Sequence, residues 1–155
     1  MNFIMMGFVG LLVVNLVKEF TMGMYTELIV GCTLEKSLPK ICAKALTLVS
    51  NKKVLDKADK ETKEFIEKYD LYSICWSESA YFGAPPYCVF RRLKDNYENY
   101  YSLSIRANLK NYNGEIEKFL NYIKPYVRWG SGTHELYAMT IYEEDKEPTF
   151  WFKYN

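Results

Sequence analysis

Every second residue is apolar in the stretch Leu28-Ile29-Val30-Gly31-Cys32-Thr33-Leu34, and the same spacing returns in Leu103-Ser104-Ile105-Arg106-Ala107-Asn108-Leu109. A period of two is typical of a strand with one buried face. Each stretch is followed by a segment with the spacing of an amphipathic helix. The two stretches therefore predict two strands of one sheet, each leading into a helix.

The two predicted helices have apolar residues along one face. The first is expected to begin with Ser37 as its N-cap and Pro39 in its first turn, and the second to cover residues 113–126. Their apolar positions are Ile41, Cys42, Ala45, Leu48 and Val49 in the first helix, and Ile116, Phe119, Leu120 and Ile123 in the second. Residues 51–70 are rich in charge and predict a solvated loop that leads into a short helix.

Two further blocks repeat in the same order. Residues 71–78 align with residues 136–143, and residues 86–91 align with residues 148–153. Such repetition indicates a duplicated β-α-β-β unit, with halves 24–94 and 95–155. Helices that follow equivalent strands are expected to cover the same sheet face. The predicted fold is therefore α+β, a two-layer sandwich of about six mostly antiparallel strands with two helices on one face.

Residues 1–23 form an apolar leader that differs from the rest of the chain. Residues 3–17 are apolar except for Asn15, but a bilayer span needs about 20 residues, and the features of a secretory signal are missing. The pair Lys18-Glu19 can be encoded as AAGGAG, a bacterial ribosome-binding sequence, about six nucleotides before the codon of Met22. We therefore expect untranslated upstream sequence followed by a single domain, residues 24–155. A membrane anchor is the alternative.

The composition restricts the classes of function. The chain has 155 residues, 49% of them apolar, and its net charge of +1 gives no clustered positive charge of the kind that duplex DNA binding needs. Four cysteines without a C-x-x-C pair indicate reduced thiols in a cytoplasmic protein. Because His134 is the single histidine, any site that needs two imidazoles is excluded.

Alternation along the strands divides their side chains between two faces. The residues expected in the core are Leu28, Val30, Leu34, Ile74, Trp76, Phe90, Leu103, Ile105, Met139, Ile141, Phe150 and Phe152. On the opposite face we predict a docking surface formed by Tyr87, Arg91, Arg106, Tyr142 and Trp151, since aromatic and Arg side chains dominate interface energy. A solvated sheet face and a homodimer interface are the alternatives.

No stretch carries the residues of a catalytic centre or of a metal or cofactor site. The acidic run 143–147 lacks the oxygen spacing of a calcium loop and is expected in a hairpin turn. His134 has neither a paired nucleophile nor an orienting group in the sequence. Residues 130–132, Gly-Ser-Gly, lack the spacing of a phosphate loop. The sequence thus predicts a protein that is not an enzyme and has no cofactor.

Several stretches are similar to a known group of proteins. They are Met24-Tyr25-Thr26-Glu27-Leu28, Asn108-Leu109-Lys110-Asn111-Tyr112, Glu115-Ile116-Glu117-Lys118-Phe119-Leu120, Lys124-Pro125-Tyr126, Tyr142-Glu143-Glu144 and Glu147-Pro148-Thr149. In them the chain resembles small phage and prophage proteins of low-GC Gram-positive bacteria, over most of residues 24–154. The resemblance implies a start near Met24. The group has no assigned activity, so no residue role follows from it.

The resemblance also implies a context, because small phage accessory proteins often act by binding. We expect a non-enzymatic inhibitor that docks on a host or antiviral-defence protein in the host cytoplasm. One alternative is a protein that sequesters a small anionic ligand such as a nucleotide signal. Another is a module for single-stranded nucleic acid, although no RNP-like motif is present and the charge is balanced. Membrane association is expected only if the leader is translated.

Overall fold

The computed structural model of the protein describes residues 24–52, 58–80, 82–95, 98–130 and 134–154. Within these residues the strands form one antiparallel sheet in the order β2-β3-β1-β4-β5. The five strands are β1 (Thr26–Leu34), β2 (Tyr87–Lys94), β3 (Asn99–Leu109), β4 (His134–Tyr142) and β5 (Thr149–Tyr154). The predicted α+β class with an antiparallel sheet is confirmed.

Four α-helices occur in the described residues: the two predicted amphipathic helices, the short helix predicted at the end of residues 51–70, and a fourth at residues 71–76 that was not predicted. Three lie between β1 and β2, and one, which continues into a 3₁₀ turn, lies between β3 and β4. They are α1 (Lys40–Ser50), α2 (Lys60–Lys68), α3 (Leu71–Trp76) and α4 (Glu115–Ile123), and the 3₁₀ turn is Lys124–Tyr126. None of these helices is long and apolar enough to cross a membrane. The leader, residues 1–23, lies outside the described residues.

The two strands aligned in the sequence, β1 and β3, are neighbours at the centre of the sheet. Val30 lies opposite Ile105, Leu28 opposite Ala107, and Cys32 opposite Leu103. Positions that match in the sequence are therefore related by a local two-fold axis through the Val30–Ile105 pair. The same axis exchanges β1 with β3 and β2 with β4, so β4 is the counterpart of β2 in the strand order.

The prediction of a strand at residues 71–78 is wrong, because these residues form α3. Leu71, Ile74 and Cys75 are buried at the i, i+3, i+4 spacing of one helix face. The sheet of the described residues therefore has five strands and not about six. The two halves have the element orders β-α-α-α-β and β-α-β-β, so the duplication of a complete unit stays a prediction.

The hydrophobic core is built from buried residues of the helices and of the strands. All four apolar positions predicted for α4 are fully buried, and so are Cys42, Ala45 and Val49 of α1. Buried strand residues of one parity complete the core; they are Leu28, Val30, Leu34, Cys88, Leu103, Ile105, Ala107 and Leu109. One capping prediction is wrong, since Pro39 and not Ser37 precedes α1 and no side chain caps that helix.

At β4 and β5 the predicted core residues lie on the other face. Met139 pairs with Ile29 and with Phe150, so these three side chains point away from the helices, and Phe150 is 51% exposed. A β-bulge between Leu136 and Ala138 shifts the register of β4 against β5. Tyr137, next to the bulge, is buried instead, and its hydroxyl donates to the Leu120 carbonyl at 3.5 Å. The core prediction for Met139, Ile141, Phe150 and Phe152 is therefore wrong.

Candidate functional site

The strand side chains that point away from the core form a continuous surface, called here the open face. The pairing registers place neighbouring strands' side chains together on it. Its members are Ile29, Gly31 and Thr33 of β1, Tyr87, Val89, Arg91 and Leu93 of β2, Tyr100, Ser102, Ser104 and Arg106 of β3, His134, Leu136, Met139 and Ile141 of β4, and Phe150, Phe152 and Tyr154 of β5.

Exposed apolar side chains are concentrated on the open face. Seven large hydrophobic side chains are exposed in the described residues, and six of them belong to this face. Tyr87, Val89 and Leu93 line its β2 edge, whereas Leu136, Phe150 and Tyr154 line its β5 edge. Exposed apolar side chains gathered on one face, here in two groups at its edges, are typical of interaction sites. The open face is therefore the leading candidate for contact with a partner.

The β5 edge presents a row of aromatic rings. The ring centroids of Phe150 and Phe152 are 6.5 Å apart, and those of Phe152 and Tyr154 are 6.0 Å apart. His134 on the adjoining strand places its ring 5.4 Å from that of Phe152. Alternate residues of a strand share a face, so the sequence Phe-Trp-Phe-Lys-Tyr produces this row directly. It escaped the sequence analysis because Phe150 and Phe152 were assigned to the core.

Between the two apolar edges the open face carries small residues. Gly31 lies at the centre of the sheet opposite Ser104, and Thr33 lies opposite Ser102. A Cβ atom added to Gly31 would meet no other atom within 4 Å. The part of the face around Gly31 is therefore lined by small side chains and is called here the trough, and the exposed apolar side chains of the β2 and β5 edges are called the two ridges.

The charges of the open face are few. Arg106 forms an ion pair with Glu27, with its Nη2 2.6 Å from the carboxylate Oε1. The Glu27 side chain is only 6% exposed, so this carboxylate depends on the guanidinium as its counter-ion. Arg91 is exposed, and within the described part of the chain its guanidinium has neither an ion pair nor a hydrogen bond. Arg91 is therefore the cation available to a partner.

The five residues predicted to form one docking surface do not share one face. Tyr87 and Arg106 are opposite each other on β2 and β3, and Arg91 follows on the same face. Tyr142 pairs with Thr26 and Trp151 with Ala138, which places both on the core side of the sheet. The prediction of a single surface is wrong for these two residues. Apolar residues occur at even-numbered and odd-numbered positions of β4 alike, so alternation does not indicate which of its faces is buried. The binding roles of all five stay predictions.

Tyr142 and Trp151 line a separate cleft of about 480 Å³, called here the hairpin cleft. It lies between the start of α4 and the β4–β5 hairpin. Its walls contain aromatic rings, two carboxylates and several neutral polar groups, and none of its lining residues is a cation. They are Met24, Thr26, Asn111, Tyr112, Glu117, Thr140, Tyr142, Asp145, Thr149 and Trp151. This cleft could not be predicted from the sequence, because its lining residues come from four separate segments.

The thiols of the core are held in their protonated form. Burial raises the pKa of Cys42 to about 12, and burial together with the negative charge of Glu135 raises the pKa of Cys32 to about 12. A hydrogen bond with Cys88 and burial raise the pKa of Cys75 well above its usual value. Thiols in this state are poor nucleophiles.

Metal-binding geometry does not occur in the described ranges. In them no three His, Cys, Asp or Glu side chains come close enough together to hold a metal ion. His134 is exposed at the start of β4, and its ring contacts are with Phe152 and Tyr154. Glu135 accepts the backbone N–H of Gly130 at 3.2 Å, so this carboxylate supports the turn before β4.

Comparison with known proteins gives no match to any protein-family model, curated protein or solved structure. Function must therefore be argued from the surfaces of this chain. The resemblance to phage and prophage proteins stays a prediction.

Proposed function

We propose that the protein is a non-enzymatic binding protein of the phage accessory type, and that its open face docks on a host or antiviral-defence protein and inhibits it. The proposal is supported by one observation above all. Six of the seven exposed large apolar side chains in the described residues lie on this face. Covering these side chains with a partner is favourable, because it removes their apolar surface from water.

Charge complementarity defines the chemistry of the partner. The open face offers the exposed guanidinium of Arg91 beside the apolar ridge of Val89 and Leu93. The carboxylate that the central strands place on this face, Glu27, is already paired with Arg106. In a homodimer formed through this face, Glu27 of the second copy would be held by its own Arg106 and would not be free to pair with Arg91. The partner that fits presents apolar side chains to the two ridges and an Asp or Glu to Arg91.

Sequestration of a small anion ranks second. It requires a concave pocket in which cations and aromatic rings converge. Arg106 is engaged by Glu27, and the hairpin cleft is lined by Glu117 and Asp145 without a cation. Both features work against an anionic ligand.

A platform for single-stranded nucleic acid ranks third. Such a platform combines stacked bases with cations that follow the phosphate backbone. The aromatic row of Phe150, Phe152 and Tyr154 suits stacking, but Arg91 is the exposed, unpaired cation of the open face in the described residues. One such cation gives little phosphate affinity.

The proposal includes three features predicted from the sequence. One is the two-layer arrangement, in which the helices cover one sheet face and leave the open face uncovered. The second is the duplicated origin of the two halves. The third is action in the cytoplasm of the host cell.

The test is affinity capture from infected host cells with the full chain and two open-face variants, Val89→Lys and Phe150→Lys. Asn121→Lys is the matched control, because it adds the same charge at an exposed position of α4. The partner captured by the wild type should remain with Asn121→Lys and be lost with both open-face variants. Hydrogen exchange of the purified complex should then slow in β2 and β5.

Two results would contradict the proposal. One is retention of the captured partner by both folded open-face variants. The other is a stable homodimer that is disrupted by the same two substitutions, since it would make a second copy the occupant of the open face.

A further inference from the structure

The hairpin cleft lies on the helix side of the sheet and is unrelated to the docking role proposed for the open face. Tyr142 from the end of β4 and Trp151 from β5 form one wall. Tyr112, which precedes α4 and is 65% exposed, and Glu117 of that helix contribute the other. At about 480 Å³ the cleft is within the usual size of small-ligand sites, roughly 300–1,000 Å³.

The hydrogen-bond donors of the cleft are largely satisfied within the protein. The indole N–H of Trp151 donates to Thr140 Oγ1 at 3.2 Å, and the Asn111 amide donates to Glu117 Oε2 at 2.8 Å. The hydroxyl of Tyr142 donates to the Met24 sulfur. A ligand that needs donors from the protein, such as an anion, would have to displace these contacts.

The acceptors of the cleft, in contrast, are available. In the described residues Glu117 Oε1 has no hydrogen-bond partner, and Asp145 forms no ion pair. Asp145 is held in the hairpin by its backbone N–H, which donates to the Tyr142 carbonyl at 2.9 Å. Two carboxylates therefore face the cleft with acceptor capacity left for a ligand that donates.

The electrostatic potential at the cleft is negative. The pKa of the Tyr142 hydroxyl is raised, first by desolvation and then by the charges of Glu144, Glu143 and Asp145. A raised pKa for a phenol means that a further negative charge is disfavoured at this point. The part of this shift that comes from the three carboxylates would stabilise a positive charge at the same point.

The aromatic rings add a second attraction for a cation. The electron-rich faces of Tyr and Trp attract ammonium groups. Tyr112 already has such a contact, since the Nζ of Lys110 lies 6.0 Å from its ring centroid. Lys110 is not among the lining residues, so the cleft itself carries no compensating cation.

We infer that the hairpin cleft binds an alkylammonium group, with Asp145 and Glu117 as the acceptors and with Tyr112, Tyr142 and Trp151 as the aromatic contacts. The group can belong to a lysine side chain of a peptide or to a free aliphatic amine. Both sources present the same charged head on a short apolar stem, which matches a cleft that combines carboxylates with rings.

The test is a titration of the full chain, followed by NMR or calorimetry, with four probes, of which the three butyl compounds are matched in size. Butylammonium and N-acetyl-lysine methylamide carry the cation, 1-butanol is the neutral match, and butyrate is the anionic match. The two cations should bind saturably, and butanol and butyrate should not. Binding of both cations identifies the head group alone as the determinant, whereas binding of butylammonium without the lysine derivative restricts the site to free amines.

Substitutions locate the binding to the cleft. Asp145→Asn should weaken butylammonium binding by about five-fold, since it removes a charge while the backbone of the turn remains. Tyr112→Ala should weaken it by roughly three-fold through the loss of one ring. Glu64→Gln removes an equal charge from exposed α2 and should leave the affinity unchanged. Equal binding of butanol and butylammonium, or unchanged affinity in both cleft variants, would overturn the inference.

Discussion

Arg106 and Glu27 form a charge pair across the two central strands, with the guanidinium Nη2 and Nε both 2.6 Å from the carboxylate Oε1. Glu27 lies opposite Asn108 on β3, and Arg106 lies opposite Ile29 on β1, so the pair bridges the strands diagonally. It holds an almost fully buried carboxylate on the open face, where Arg91 is the other charged side chain among the described strand residues. A carboxylate in such a place is tolerated only with its counter-ion.

Removal of the counter-ion should therefore destabilise the fold. We expect Arg106→Met to lower the free energy of unfolding by roughly 2 kcal/mol, because Glu27 would remain buried without a partner. Arg91→Met, on the same face and exposed, should change it by less than about 0.5 kcal/mol. Urea denaturation of the two variants measures the difference. Equal stabilities would mean that water replaces the guanidinium at Glu27.

The start of α2 should give the protein an acid-sensitive step. Asp59 caps this helix by accepting from the Thr62 N–H at 2.8 Å, and it is paired with Lys44. Hydrogen bonds from Lys44 and Thr62 hold the pKa of Asp59 well below its usual 3.8. Its contribution to stability is therefore present above about pH 3.8 and is lost as the pH falls towards the folded-state pKa.

Substitution of Asp59 tests this dependence. Asp59→Ala should lower the midpoint of urea unfolding at pH 7 and have a smaller effect at pH 2, where protonation of Asp59 in the unfolded state has already removed part of its contribution. Glu61→Ala, in the same first turn, is the control for the loss of a nearby carboxylate. A stability difference between wild type and Asp59→Ala that does not depend on pH would contradict the assignment.

The buried thiols should be unreactive in the folded protein. With a pKa of about 12, Cys32 and Cys42 are thiolates in about one molecule in ten thousand at pH 8. Iodoacetamide labelling followed by peptide mass mapping should leave both residues unmodified under native conditions. Both should be labelled rapidly in urea. Fast labelling of Cys42 without denaturant would show that α1 opens locally.

The parts of the fold that could be predicted from sequence are those in which one face is clearly apolar. In β1 and β3 the apolar residues occur at one parity, and Val30 and Ile105 are buried as expected. The helix face of α4 is equally clear, and Phe119 and Leu120 are fully buried. In these elements the hydrophobic pattern and the local structure agree, so periodicity is sufficient.

Short apolar runs without a clear period account for the errors. Residues 71–76 combine Leu71, Ile74 and Cys75 at helical spacing with β-favouring residues between them, and only packing selects the helix. In β4 residues of both parities are apolar, so alternation could not decide which face Thr140 occupies. The hairpin cleft depends on the second outcome, because Thr140 is one of its lining residues. The bulge of β4 likewise has no sequence signature.

Gly31 offers a test in which stability and binding should change in opposite directions. It lies in the middle of β1 on the open face, and a Cβ atom there would meet no neighbour within 4 Å. Gly31→Thr should therefore raise the free energy of unfolding by roughly 0.5–1 kcal/mol, because a β-branched residue replaces the most flexible one in a strand.

The contrasting position is Gly114, which precedes α4 with a φ of +68°. The same kind of change, Gly114→Ala, should lower the free energy of unfolding by about 1 kcal/mol, since L residues are strained in this conformation. Comparison of the two substitutions therefore separates the effect of backbone strain at a positive φ from the effect of replacing a glycine.

If the trough receives a side chain of the partner, Gly31→Thr should also weaken capture of that partner although the protein is more stable. Undiminished capture by Gly31→Thr would restrict the contact to the two apolar ridges.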